Sequence, residues 1–277
     1  MTAPDFICIG AQKAATTWLS ANLARHPEIW LPFTKELHYF DMLVAPSADY
    51  WRDNFAAKIS RMIERAKTHR APERRIAYLE SIADPTRMFT PEWYRAVFAA
   101  KPEGRITGEF TPRYATLPEA AIEGMLRALP ETKFIYLIRD PTDRALSNFR
   151  MQLSRSEVNT ADSQEVERFA RDWFAARRFF ASDYAVFIPR WDARCPKERL
   201  LYLPFGAVRA APREILREVE VFLGLTPFEA YGAETAVHRS KSVTPPSWLA
   251  PRLEAELAPH RAFLERRFPA DFVAALR

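Results

Sequence analysis

Residues 10 to 18 read Gly10-Ala11-Gln12-Lys13-Ala14-Ala15-Thr16-Thr17-Trp18, directly after the short apolar run Phe6-Ile7-Cys8-Ile9. An apolar run that stops at a glycine, followed by residues with helical spacing as far as Pro27, spells strand, loop and helix. Such a junction offers successive backbone N–H groups and the positive end of a helix dipole, which together favour a phosphate or a sulfate. Thr16 and Thr17 add hydroxyls, as N-caps or as ligands of the anion, because both uses share one geometry. Lys13 brings a cation that can neutralise charge developing on leaving oxygens. A Walker A loop needs G-x-x-x-x-G-K-[ST]; here the lysine comes three positions after the only glycine, so that pattern fails in glycine count and in lysine placement. This is an anion loop of another kind.

A second junction of the same type lies at Lys133-Phe134-Ile135-Tyr136-Leu137-Ile138-Arg139. The apolar run stops at Arg139, Asp140 fits the N-cap of a following helix, Pro141 its first position, and Asp143 its positive terminus. A guanidinium at a strand end, over the C-terminal edge of a sheet, is placed to grip an oxyanion bidentately. Ser147, two turns into that helix and on the face of Asp140, Asp143 and Arg144, brings a hydroxyl toward the same ligand.

The elements that must carry these junctions follow from the rest of the text. RITGEF at 105 to 110 and RLLYLP at 199 to 204 are short enough for buried strands, with helical patterns between them. Residues 51 to 100 and 160 to 195 are amphipathic helical text, and the tail from Pro251 to Arg277 spells one or two helices. The pattern predicts an α/β fold with a central parallel sheet flanked by helices, as one domain over all 277 residues. With 48% apolar and 27% charged residues the chain can bury a core without staples. The net charge of +5 favours anionic ligands. Cys8 and Cys195 alone make no disulfide framework and have no zinc-site spacing, which suits a reducing cytoplasm. No signal peptide or membrane-spanning run is predicted. The cluster Arg61, Arg65, Lys67, Arg70, Arg74 and Arg75 reads as a solvated helix face, and no nucleic-acid motif accompanies it.

The two junctions together resemble the PAPS-dependent sulfotransferases, in particular the branch holding the heparan sulfate enzymes and bacterial relatives. The donor 3′-phosphoadenosine 5′-phosphosulfate (PAPS) meets a G-x-x-K-x-x-T-[ST]-x-L loop in that family, and Gly10 to Leu19 reads GAQKAATTWL. The family's second signature, a strand ending in Arg before a helix bearing Ser, is matched by YLIRDPTDRALSNF from Tyr136 to Phe149. The likeness extends to KELHYFD at 35 to 41, GEFTPRY at 108 to 114 and HRSKSVTPP at 238 to 246. It departs where Phe110 replaces a lysine or small residue, and where Leu203-Pro204-Phe205 replaces an acidic turn.

The resemblance implies a P-loop-like sulfotransferase fold and a transfer of the sulfuryl group to a hydroxyl or amine. The acceptor would be a small molecule, a lipid or a carbohydrate, and the product nucleotide adenosine 3′,5′-bisphosphate (PAP). Gly10 to Trp18 would hold the 5′-phosphosulfate, Arg139 and Ser147 the 3′-phosphate, and Arg239, Ser240 and Lys241 would close over the donor. Glu36 matches the family's base, with His38 as the rival; a carboxylate in a dry cleft would have a raised pKa suited to the work, whereas an imidazole titrates near neutrality unaided. In an extended segment the two would point the same way. Glu109 and Arg113 line the acceptor pocket or form a structural salt bridge. No metal is implied, and the sequence carries no acidic cluster spaced for one. Alternative readings are a small-molecule kinase on a P-loop-like fold and a non-catalytic nucleotide-binding protein.

Overall fold

The computed structural model describes residues 3–44, 48–232 and 243–277. Its centre is a five-stranded, all-parallel sheet: β1 (Phe6–Gly10), β2 (Ile29–Trp30), β3 (Ile106–Phe110), β4 (Lys133–Ile138) and β5 (Leu200–Pro204), in the order β2-β3-β1-β4-β5. β1 is buried along its whole length and β4 from Phe134 onward, as expected for strands covered on both faces. The four strands read from apolar runs are present; β2 was not foreseen, because two residues carry no periodicity.

Helix α1 (Thr16–Leu23) follows β1 and the single turn α2 (Tyr39–Met42) follows β2. Three helices, α3 (Ala48–Thr68), α4 (Glu73–Ser81) and α5 (Pro91–Phe98), lead into β3. Thr90 caps α5 by accepting from the Trp93 N–H at 3.2 Å, ahead of Pro91. α6 (Glu119–Ala128) links β3 to β4, and α7 (Pro141–Leu153), α8 (Ser163–Ala175) and α9 (Tyr184–Asp192) link β4 to β5. After β5 come α10 (Ala207–Ala210), α11 (Pro212–Leu223), α12 (Leu249–Arg267) and α13 (Ala270–Ala274). Asp140 caps α7 by accepting from the Asp143 N–H at 3.0 Å, as the sequence predicts.

The main core wraps the sheet, while a second apolar cluster, with Phe149, Trp173, Phe179 and Leu253 among its members, binds α7, α8 and α12 together. That second cluster fixes α7, and through it the helix terminus after Arg139. Among the described residues no helix is long and apolar enough to cross a membrane.

Candidate active site

From β1 the chain proceeds outward to β2 and β3 on one side, and from β4 to β5 on the other. The crevice above the C-terminal ends of β1 and β4 is therefore the switch point, where open parallel sheets bind ligands. Both sequence junctions open into it. The Ala11 N–H donates to Leu137 O at 2.8 Å, and Arg139 Nη1 donates to Lys13 O at 3.0 Å, so the two loops are tied to each other.

The first loop is compressed. Ala11 and Ala14 are buried, and Lys13 and Ala15 take left-handed φ of 73° and 64°. Gly10 is needed for close approach: a Cβ there would stand 2.7 Å from the Ala115 Cβ. The N-cap of α1 is Ala15, which supplies no side-chain acceptor, and Thr16 and Thr17 are the first helical residues and not caps. The first-turn N–H groups are thus left for a ligand, the condition for an anion site. Trp18 packs into the core and Gln12 is exposed. Burial pushes the Lys13 ammonium below its ordinary pKa, and the guanidinium groups of Arg139, Arg155 and Arg144 push it the same way.

Arg139 lies half-buried over the Phe205 ring, 4.3 Å from its centroid, and its Nε is buried with no partner. An orphaned guanidinium N–H beside an uncapped helix start fits a phosphorylated ligand. Ser147 is on α7 and nearly buried. Arg239, Ser240 and Lys241 lie outside the described residues.

Arg144 is a contributor the sequence reading placed only on a helix face. It is fully buried, and it donates from Nε to Ser182 Oγ at 2.5 Å, from Nη2 to Phe179 O at 2.9 Å and from Nη1 to Gln12 O at 3.4 Å. Asn148 Nδ2 adds a bond to Gln12 Oε1 at 3.0 Å. The anion loop is therefore strutted from α7. Arg144→Met would remove the donor from two buried acceptors, Ser182 Oγ and Phe179 O, so the urea midpoint is expected to fall by the equivalent of about 2–4 kcal/mol; an unchanged midpoint would show the strut to be idle.

Opposite this loop, Glu36 N–H donates to Phe110 O at 2.9 Å and Leu37 N–H to Thr111 Oγ1 at 3.1 Å. The segment is not extended: Glu36 and His38 have φ of 57° and 58°, left-handed values imposed by these two anchors on β3. Each such residue costs roughly 1 kcal/mol or more, and the surrounding bonds must hold it. The two side chains nevertheless meet, His38 Nε2 standing 3.7 Å from Glu36 Oε2.

His38 Nδ1 bonds Asp41 Oδ2 at 2.9 Å, so both ring nitrogens face carboxylates. Burial alone would lower the imidazole, but the contacts with Asp41 and Glu36 outweigh it and hold its pKa up to about 9. Glu36 is half exposed, and the His38 imidazolium, aided by Lys58 and Lys35, holds its carboxyl below the ordinary range against a smaller effect of burial. The upshift expected for a base in a dry cleft is therefore not found. Asp41, nearly buried, also takes Arg113 Nε at 3.1 Å, and the Arg113 guanidinium lies 5.5 Å from the centroid of the Trp51 ring. Asp41 was legible only as the acid three positions after His38 at a helix start.

Glu109 is 2% exposed and has no surface to offer an acceptor. It accepts from Tyr94 OH at 2.5 Å and from Thr111 Oγ1 at 2.6 Å, and burial raises its pKa against these bonds. Glu109 sets Thr111, which sets Leu37: a buried carboxyl orients the backbone that presents Glu36.

The chain belongs to the sulfotransferase family, whose model, described as "Sulfotransferase family", matches residues 4–230. It is 30% identical over 141 residues to mouse heparan sulfate glucosamine 3-O-sulfotransferase 3A1, covering 48% of this chain and 34% of that enzyme. With mouse bifunctional heparan sulfate N-deacetylase/N-sulfotransferase 4 it shares 28% over 244 residues, covering 82% of this chain and 23% of the other. The chain thus spans a minor part of the length of these relatives. A solved sulfotransferase from Alicyclobacillus acidocaldarius has the same fold, with a TM-score of 0.68 at 21% identity over 98% of this chain and 99% of that one.

Proposed function

We propose that the protein transfers a sulfuryl group from PAPS to a hydroxyl or amine of a small-molecule, lipid or carbohydrate acceptor, releasing PAP. The observation that carries this reading is the direct bond from Arg139 to the Lys13 carbonyl, which joins two anion-receptive junctions at one crevice. Two anion sites held side by side suit a nucleotide with phosphates at both its 5′ and 3′ positions. The donor, when bound, supplies an activated sulfuryl group.

The chain's own contribution is positioning and charge. The N–H groups from Gln12 to Thr17, save that of Ala14, which bonds Ala11 O, and the Lys13 ammonium receive the 5′ end, and Arg139 with Ser147 the 3′-phosphate. Glu36 takes the acceptor's proton; its low pKa keeps it ionised at neutral pH, ready to do so. His38 is protonated there and has no free lone pair, so its role is to hold Glu36 in place, itself held by Asp41. Both cysteines are free and buried, in keeping with a cytoplasmic setting.

Titration calorimetry with PAP and AMP tests the donor assignment. PAP is expected to bind at least about tenfold more tightly, since the 3′-phosphate gains charge-assisted bonds from Arg139. Equal affinity for the two nucleotides would remove the reading.

A further inference from the structure

Lys35 has no part in the scheme above, yet its side chain reaches the start of α1 at the anion loop. Its ammonium donates to Thr17 Oγ1 at 3.2 Å and stands over the Phe110 ring, 5.5 Å from the centroid, at the C-terminal end of β3. An ammonium has three donors, so two remain after Thr17, and Lys35 forms no salt bridge among the described residues. Its backbone is pinned as well: Lys58 Nζ donates to Lys35 O, and the next residue is tied to Phe110. The charged groups around the two loop lysines differ. Lys13 is influenced by Arg139, Arg155 and Arg144, which disfavour its charge, whereas Lys35 is influenced by Cys8 and Glu36, which favour it. Burial lowers the Lys35 pKa, the mark of a cation taken out of water without a full set of partners.

We propose that Lys35 is a second catalytic cation, whose ammonium contacts the sulfuryl oxygens of the donor at the end of the loop nearest Glu36. This rests on the reading of the site as a sulfuryl-transfer site. In the step, the acceptor oxygen or nitrogen forms its bond to sulfur as the bond from sulfur to the 5′-phosphate oxygen breaks. The electron pair of the broken bond stays on the phosphate, next to Lys13, and the acceptor's proton passes to Glu36. Lys35 neither gains nor loses a proton; it holds charge on the three sulfuryl oxygens while they pass from one partner to the other, over the Phe110 ring, which keeps water from beneath them.

Calorimetry with PAPS and with PAP, which lacks the sulfuryl group, reads the contact without any acceptor. Lys35→Met is expected to weaken PAPS by about tenfold or more while PAP stays within about twofold, since one charge-assisted bond to the sulfuryl is lost. Lys35→Arg should restore most of the PAPS affinity. Retained PAP binding certifies that each variant is folded. Equal losses for both nucleotides, or no loss for either, would overturn the assignment of Lys35 while leaving the donor reading intact. A wild-type protein that binds neither nucleotide would overturn the donor reading, and the role of Lys35 with it.

Discussion

Glu36→Gln is expected to cut turnover at saturating donor and acceptor by roughly 10²- to 10⁴-fold while PAP still binds, because the amide keeps the shape of the carboxylate but cannot accept a proton. His38→Ala should cost less, as it removes a support and not the proton acceptor. The pH dependence separates the two. With Glu36 held low, turnover should be level through neutral pH and should fall only as pH rises through about 9, where His38 gives up its proton and the clamp on Glu36 loosens. Stability follows the same sign. The His38 pKa is raised on folding, so its contribution is complete below the unfolded value near 6.5 and is lost as pH climbs through about 9. Thermal melts across that window should show wild type losing roughly 1–3 kcal/mol that His38→Ala never had. A Glu36→Gln protein of near wild-type activity, beside a dead His38→Ala, would exchange the two roles.

Lys13→Ala should lower turnover by about 10²- to 10³-fold and change PAP affinity far less. In the proposed scheme the ammonium faces the oxygen that bridges phosphate and sulfur, and this oxygen gains charge only as the bond breaks. Burial and the nearby guanidinium groups already disfavour the charged lysine, so an anion at this spot is what stabilises it. Steady-state rates and calorimetry on the same preparation check the split. Equal effects on both quantities would make Lys13 a binding residue; unchanged turnover would remove it from the chemistry.

The two strand-loop-helix junctions of the candidate site were legible in the sequence because they are local. Strand, loop and helix are neighbours in the chain, and a glycine, a lysine and two threonines at fixed offsets suffice to describe an anion loop. Asp140 likewise announced its helix by the proline that follows it. The acceptor side was harder to read because its order is set across long distances. Thr111 bonds Leu37 from 74 residues away; on the donor side, the Arg144 strut to Gln12, across 132 residues, escaped the sequence for the same reason. Nothing in KELHYFD foretells two left-handed residues, since the anchors that impose them lie on β3. Phe205, seen in the sequence only as a departure from an acidic turn, proves to be the ring on which Arg139 rests.

The chain of bonds from Glu109 through Thr111 to Leu37 hangs the proton-accepting segment on β3, whereas the nucleotide loops hang on β1 and β4. The site is thus assembled from two modules on adjoining strands, each with its own foundation. A single change at Glu109 would shift the backbone that carries Glu36, the proposed base, while leaving every exposed surface as it was. For engineering, the buried carboxyl of Glu109 is the position to leave alone.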